Sequence, residues 1–146
     1  MSYFDSAFIA KFYLDEPESE AIRALAASLG RVHCVSYGRL EVAAALHRKL
    51  REGTFTEPVL REVSGQFSDD CNAGLWTWLP ITDELIAAVA QSITRLPGTV
   101  FLRAADALHL TCAREHGFAE IYTSDRHVLA AAHHYKLKAV SDPRVR

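Results

Sequence analysis

The chain has 146 residues, of which 49% are apolar and 23% charged, with a formal charge of −2. That size and balance describe a single domain spanning 1–146, able to bury roughly 70% of the surface of its unfolded chain without staples. Apolar runs of only a few residues exclude a membrane helix, which needs ~20. The near-neutral charge excludes nucleic-acid binding by bulk attraction, so such contact needs a local basic patch or metal ions that offset the acids.

Residues 1–5 (Met-Ser-Tyr-Phe-Asp) carry no basic leader and do not read as a secretory signal. Cys34, Cys71 and Cys112 form an odd set with no Cys-x-x-Cys spacing. They rule out a disulfide framework or zinc ribbon evident from sequence and fit a reducing compartment, so a cytoplasmic location is expected.

Short β-type runs alternate with helical patterns along the chain. Residues 2–4 read as a strand closed by Asp5, 6–13 as a helix, and Pro17 as the start of a second helix with Ile22, Leu25, Ala26 and Leu29 on one face before Gly30. Residues 32–35 are a second strand. Ser36 opens a helix carrying Val42, Leu46 and Leu50, ended by Gly53. Thr56 caps a helix over 56–70 with Pro58 in its first turn and Leu60, Val63 and Phe67 inward. Trp76–Ile81 is a third strand, followed by a helix capped at Thr82 or Asp83 with Ile86, Val89, Ala90 and Ile93 on one side. A helix over 102–116 stops at Gly117. Residues 120–123 are a fourth strand, 125–135 a helix and 137–140 a fifth strand. Strands joined by long helical crossovers predict an α/β fold, a three-layer α/β/α sandwich around a parallel sheet of four to five strands. Ligands of such sheets bind beyond the carboxyl ends of the strands.

Four carboxylates stand out. Asp5 follows the first strand directly and Asp125 follows the fourth in Tyr122-Thr123-Ser124-Asp125, where an Asp also serves as an ordinary N-cap. Glu41 and Asp106 lie in alanine-rich apolar settings, and burial of a carboxylate requires pairing or a metal. Their simpler readings are a solvated helix position for Glu41, and for Asp106 a first-turn acid or an ion pair with Arg103. In a parallel sheet all four acids can meet at one rim, where mutual repulsion calls for a cation. Oxygen-only ligation suits Mg²⁺ or Mn²⁺.

Residues 5–13 (Asp-Ser-Ala-Phe-Ile-Ala-Lys-Phe-Tyr), Ser36 with Glu41-Val42, 103–110 (Arg-Ala-Ala-Asp-Ala-Leu-His-Leu) and Thr123-Ser124-Asp125 resemble, in order and spacing, the motifs of PIN-domain ribonucleases. The nearest likeness is to VapC-type toxins of bacterial and archaeal toxin–antitoxin pairs, and it covers essentially the whole chain. The resemblance implies a Mg²⁺- or Mn²⁺-dependent endoribonuclease with catalytic and metal-binding residues Asp5, Glu41, Asp106 and Asp125, and with Thr123 as the hydroxyl beside the last acid. It implies a transfer or ribosomal RNA substrate, a homodimer, and a VapB-type antitoxin whose tail enters the active-site groove beside helices of the first half. Hydrolysis by a metal-activated water, leaving a 5′-phosphate and a 3′-hydroxyl, is the expected chemistry. Glu41 is read as ligand or general base, and Thr123 and Ser6 as orienting groups or ordinary caps. Val128 departs from the family, which often carries an aromatic residue there.

Other signals have bland readings beside functional ones. His109 is either a half-buried helix residue or a member of the acidic rim. Trp76 and Trp78 share a strand face, which favours packing over base stacking. Lys11, the cluster Arg39, Arg48, Lys49 and Arg51, and the group Lys136, Lys138, Arg144 and Arg146 are solvated cations or guides for RNA. A catalytically silent RNA- or antitoxin-binding relative is the alternative function. A phosphoryl-accepting receiver module is disfavoured, because Asp5 is followed by Ser6 rather than a second acid and no matching Lys loop follows the last strand.

Overall fold

Alternate residues of each strand face opposite sides of a five-stranded parallel sheet in the computed structural model, which describes residues 1–144. The strands are β1 (Ser2–Phe4), β2 (Val32–Val35), β3 (Trp76–Leu79), β4 (Glu120–Tyr122) and β5 (Lys138–Val140), in the order β3-β2-β1-β4-β5. Tyr3, Val35 and Ile121 enter one core, with α5 (Asp83–Thr94), α6 (Ala104–Glu115) and α7 (Arg126–Ala131). Phe4, Val32, Cys34 and Tyr122 enter the other, beneath α1 (Ser6–Tyr13), α2 (Ser19–Leu29) and α3 (Gly38–Arg51). This period of two, apolar on both faces, is what a covered parallel sheet requires, and the α/β/α architecture expected from sequence is present.

Element boundaries shift where backbone bonding dictates. The third helix starts at Gly38 rather than Ser36, because the Ser36 N–H still donates to the Leu79 carbonyl at 2.8 Å and keeps the chain in the sheet. Strand β3 ends at Leu79, before Pro80, which has no N–H to donate. The last helical stretch divides into α7 and a 3-10 turn over Ala132–Tyr135.

The α4 stripe is less buried than expected from sequence, and the α5 stripe, on one side of its helix as expected, lies partly at the surface. Leu60, Val63 and Phe67 of α4 (Glu57–Ala73) are half-buried, and α4 has no fully buried residue. It leans on α3 and β3 because α1–α3 already cover that face. On α5 the buried residues are Leu85, Val89 and Ser92, while Ile86 is 50% exposed and Ile93 37%. Both isoleucines line an apolar cleft of about 340 Å³ with Tyr37 and Leu108. Trp76 is buried and donates to the Tyr13 hydroxyl at 2.6 Å, and Trp78 packs edge-on against Phe67.

Candidate active site

The sheet order reverses at β1, which places β2 on one side of it and β4 on the other. A crevice therefore opens beyond the carboxyl ends of β1 and β4, the place where open parallel sheets bind ligands. The register Phe4↔Tyr122 sets the next residues, Asp5 and Thr123, side by side. The Thr123 hydroxyl donates its proton to Asp5 Oδ2 and accepts from the Asp125 N–H at 3.0 Å. One hydroxyl thus ties the ends of both strands together.

Asp5 and Asp125 also cap helices. Asp5 Oδ1 accepts from the Phe8 N–H at 2.9 Å at the start of α1. Asp125 Oδ1 accepts from the N–H groups of His127 and Val128 at 2.7 and 3.3 Å at the start of α7. Capping and placement at the crevice are the same fact, since a strand–helix turn at the switch point supplies both. Asp5 is only 4% exposed. Burial raises its pKa, against the opposing pull of His109 and the Thr123 hydrogen bond. Asp125 is half-buried; burial acts upward, but its two backbone donors and Arg103 outweigh it and hold the carboxyl below the usual range.

Asp106, 7% exposed, sits in the first turn of α6. Arg103, at the cap of that helix, donates to it through Nε at 2.7 Å and through a terminal nitrogen at 3.3 Å. The same terminal nitrogen reaches Asp125 Oδ2 at 2.6 Å. The ion pair that is the simpler reading of Asp106 is therefore real, and it extends to a second carboxylate.

Glu41 lies one turn into α3 and meets the rim by another route. Its Oε2 is 2.6 Å from His109 Nε2. Behind it, the Val35 N–H donates to the Tyr3 hydroxyl at 3.1 Å, and that hydroxyl lies 3.0 Å from His109 Nδ1. The Tyr3 hydroxyl and the Glu41 carboxylate thus engage the two ring nitrogens of His109 from opposite sides. Burial alone would raise the Glu41 pKa; the His109 bond and charge, the Ser6 hydroxyl and Arg103 reverse this and lower it. His109 is 2% exposed rather than half-buried, because Tyr3 and Glu41 satisfy both ring nitrogens.

A groove of about 590 Å³ leads away from these residues. Ser6, Glu41, Arg103 and Asp125 line it together with alanines of α1 and α3, and Lys11, Arg48 and Arg51 line it too. Lys11 pairs with Glu18 at 3.2 Å and Lys49 with Glu16 at 3.1 Å. Of the C-terminal cations, Lys138 faces Glu120 and Arg144 faces Asp142, while Arg146 lies outside the described residues.

The donor set of carboxylates and one hydroxyl fits a hard divalent cation in kind. In arrangement, the acids divide into Asp5 on Thr123, Asp106 and Asp125 on Arg103, and Glu41 on His109. Among the described residues, no three His, Cys, Asp or Glu side chains form a group that could hold a metal ion. Arg103 supplies the positive charge that two of these acids need. The sequence alone points to Arg103 only as a partner of Asp106 and does not single out Tyr3. The i, i+3 spacing of Arg103 and Asp106 is the available signal for the first; no local pattern announces the second.

An α/β/α fold with acids gathered at its switch point defines the class. The chain belongs to the PIN domain family, whose model matches residues 2–137. Among solved structures it is similar to FitAcB from Neisseria gonorrhoeae, with a TM-score of 0.78 and 16% identity over 99% of this chain and 100% of that one. It is also similar to FitAB bound to an IR36 DNA fragment, with a TM-score of 0.69 and 18% identity over 100% of this chain and 98% of that one. At these identities the likeness is one of fold. No curated protein matches the chain.

Proposed function

We propose that this PIN-domain protein is a Mg²⁺- or Mn²⁺-dependent endoribonuclease acting as a VapC-type toxin, with transfer or ribosomal RNA as its substrate class. The observation that supports the reading is one side-chain network running Asp5–Thr123–Asp125–Arg103–Asp106 at the reversal of strand order. Asp5, Asp106 and Asp125 would hold the cation, with Glu41 as a further ligand or as general base. When bound, a divalent ion at this place acidifies water and stabilises charge on a phosphate. Thr123 holds Asp5 in orientation, and His109 holds Glu41. Arg103 keeps Asp106 and Asp125 from repelling one another and, once released, is placed to meet a phosphate oxygen.

No helix among the described residues is long and apolar enough to cross a membrane. Free Cys34, Cys71 and Cys112 support a cytoplasmic setting. The cleft bearing Ile86 and Ile93 supports a homodimer that covers it. A VapB-type antitoxin entering the groove is the partner that the motif resemblance implies.

The test is incubation of purified protein with total cellular RNA and Mn²⁺, alongside Asp5→Asn and EDTA controls. Discrete fragments lost in both controls are expected. Fragments surviving both contradict the reading. The salt bridge from Arg103 to two of the acids favours a second reading, a silent RNA- or antitoxin-binding relative. Metal binding without cleavage of any RNA in the sample would select it.

A further inference from the structure

The groove leaving the acidic crevice has a graded chemistry along α3. Counting from Glu41, Ala44 and Ala45 lie one turn away, Arg48 about two turns (~10.5 Å) and Arg51 nearly three (~15 Å), all on the face that lines the groove. Opposite them α1 contributes Ala7 and Ala10. The walls between the acids and the arginines are thus methyl groups, which leave room and offer no competing hydrogen bonds.

The charges at the outer end are not cancelled within the protein. Glu16 lines the groove there, but Lys49 neutralises it at 3.1 Å. Among the described residues Arg48 has one ion-pair partner, Glu52 at 3.7 Å, with both side chains at least half exposed; a pair of that kind is worth about 0–1 kcal/mol. Arg51 is exposed and has no ion-pair partner among the described residues. Two exposed guanidinium side chains therefore leave α3 about two and three turns beyond Glu41. The groove, about 590 Å³, has room for a few groups of an extended strand.

Resting on the nuclease reading above, we propose that the α3 face Glu41–Ala44–Ala45–Arg48–Arg51 is a track for single-stranded RNA, in which Arg48 and Arg51 grip phosphates a few nucleotides from the bond to be cut. Recognition there is by backbone charge and carries no base preference. A strand with repeating phosphates can meet both arginines at once, which a compact anion does not. The track also supplies the local attraction that the chain's overall negative charge does not provide.

The experiment measures binding of a ~12-nucleotide fluorescent single-stranded RNA of mixed sequence, a length within known single-strand site sizes, to the full chain in EDTA across a salt series. Arg48→Gln and Arg51→Gln are compared with the wild type, and Arg95→Gln, at the end of α5 and away from the groove, serves as control. Each groove substitution is expected to flatten the dependence of log affinity on log salt by ~0.7, the single-strand value per phosphate contact, and the double variant by about twice that. The control leaves the slope unchanged. Wild-type binding with an unaltered slope in the double variant overturns the track and spares the nuclease reading. Equal losses in Arg95→Gln also overturn it, as bulk charge. Loss of affinity for poly-glutamate without loss for RNA assigns the arginines to an acidic peptide instead. A folded wild type that neither binds nor cleaves any RNA overturns both the track and the reading beneath it.

Discussion

Arg103 and Asp125 belong to the caps of two different helices, and their side chains meet at 2.6 Å over the mouth of the crevice. The same guanidinium holds Asp106 at 2.7 Å. Arg103 is itself more than half exposed, so this bridge is removable at modest cost.

Replacing it tests that role. Arg103→Gln leaves Asp106 and Asp125 facing each other without a counter-charge. Loss of partly exposed ion pairs costs about 1 kcal/mol, and the melting temperature without metal is expected to fall by roughly 2–4 °C for a chain of this size. Addition of Mn²⁺ should then raise it more than in the wild type, because no internal cation has to be displaced. Equal Mn²⁺ responses would show that Arg103 does not stand in the cation's place.

A second expectation concerns the chain from Val35 through Tyr3 and His109 to Glu41. Tyr3→Phe removes the hydroxyl that meets Nδ1 of His109 and leaves the buried Val35 N–H unsatisfied. Denaturant unfolding should show a loss of about 1–3 kcal/mol. Long-range ¹H–¹⁵N spectra should show the His109 Nδ1 resonance move between the wild type and the variant. An unmoved Nδ1 resonance would mean that Tyr3 does not hold the His109 ring.

Gly38 opens α3 where there is no room for a side chain. A Cβ there would stand 2.5 Å from Cys34 Sγ and 3.4 Å from the Trp78 ring. Cys34 is fully buried in β2 and has nowhere to turn. Gly38→Ala should destabilise by about 1–3 kcal/mol, and Cys34→Ala in the same chain should recover part of that loss. Additive effects in the double-mutant cycle would contradict the contact.

The acids give opposite pH signatures in metal-free protein. The pKa of Glu41 is lower folded than its unfolded value near ~4.3. Its contribution is fully present above that value and is lost as pH falls through the folded one. The stability gap between wild type and Glu41→Gln should therefore shrink on acidification. Asp5, raised by burial, prefers its proton when folded. Stability from that site is present below ~3.9 and lost as pH rises through its folded value, so Asp5→Asn should gain on the wild type toward neutral pH. Parallel pH profiles of both variants and the wild type would contradict these assignments.

Much of this arrangement was legible in the residues. Alternation of Tyr3 with Phe4 and of Ile121 with Tyr122 marks strands covered on both faces, and Asp5 and Asp125 follow their strands as the crevice rule requires. Thr123 was legible as a neighbour of Asp125, but its bond to Asp5 depends on the β1–β4 register, which no local spacing encodes. The Tyr3–His109–Glu41 connection joins residues from β1, α6 and α3, far apart in sequence, so only tertiary packing reveals it. The α5 stripe is on one side of its helix as its spacing indicates, but its burial was not legible. Periodicity identifies an apolar face but does not say whether this chain buries it, and Ile86 and Ile93 remain at the surface.

The measurement that tests the central claim most directly is the chemistry of the cut ends, read by end-labelling the fragments made from total RNA with Mn²⁺. Attack by water, with the acids of the crevice holding the ion and orienting the phosphate, is expected to leave a 5′-phosphate and a 3′-hydroxyl, and Asp125→Asn should yield no such ends. A 2′,3′-cyclic phosphate opposite a 5′-hydroxyl would mean attack by the ribose hydroxyl, and would contradict Asp5, Asp106 and Asp125 as holders of a water-activating ion.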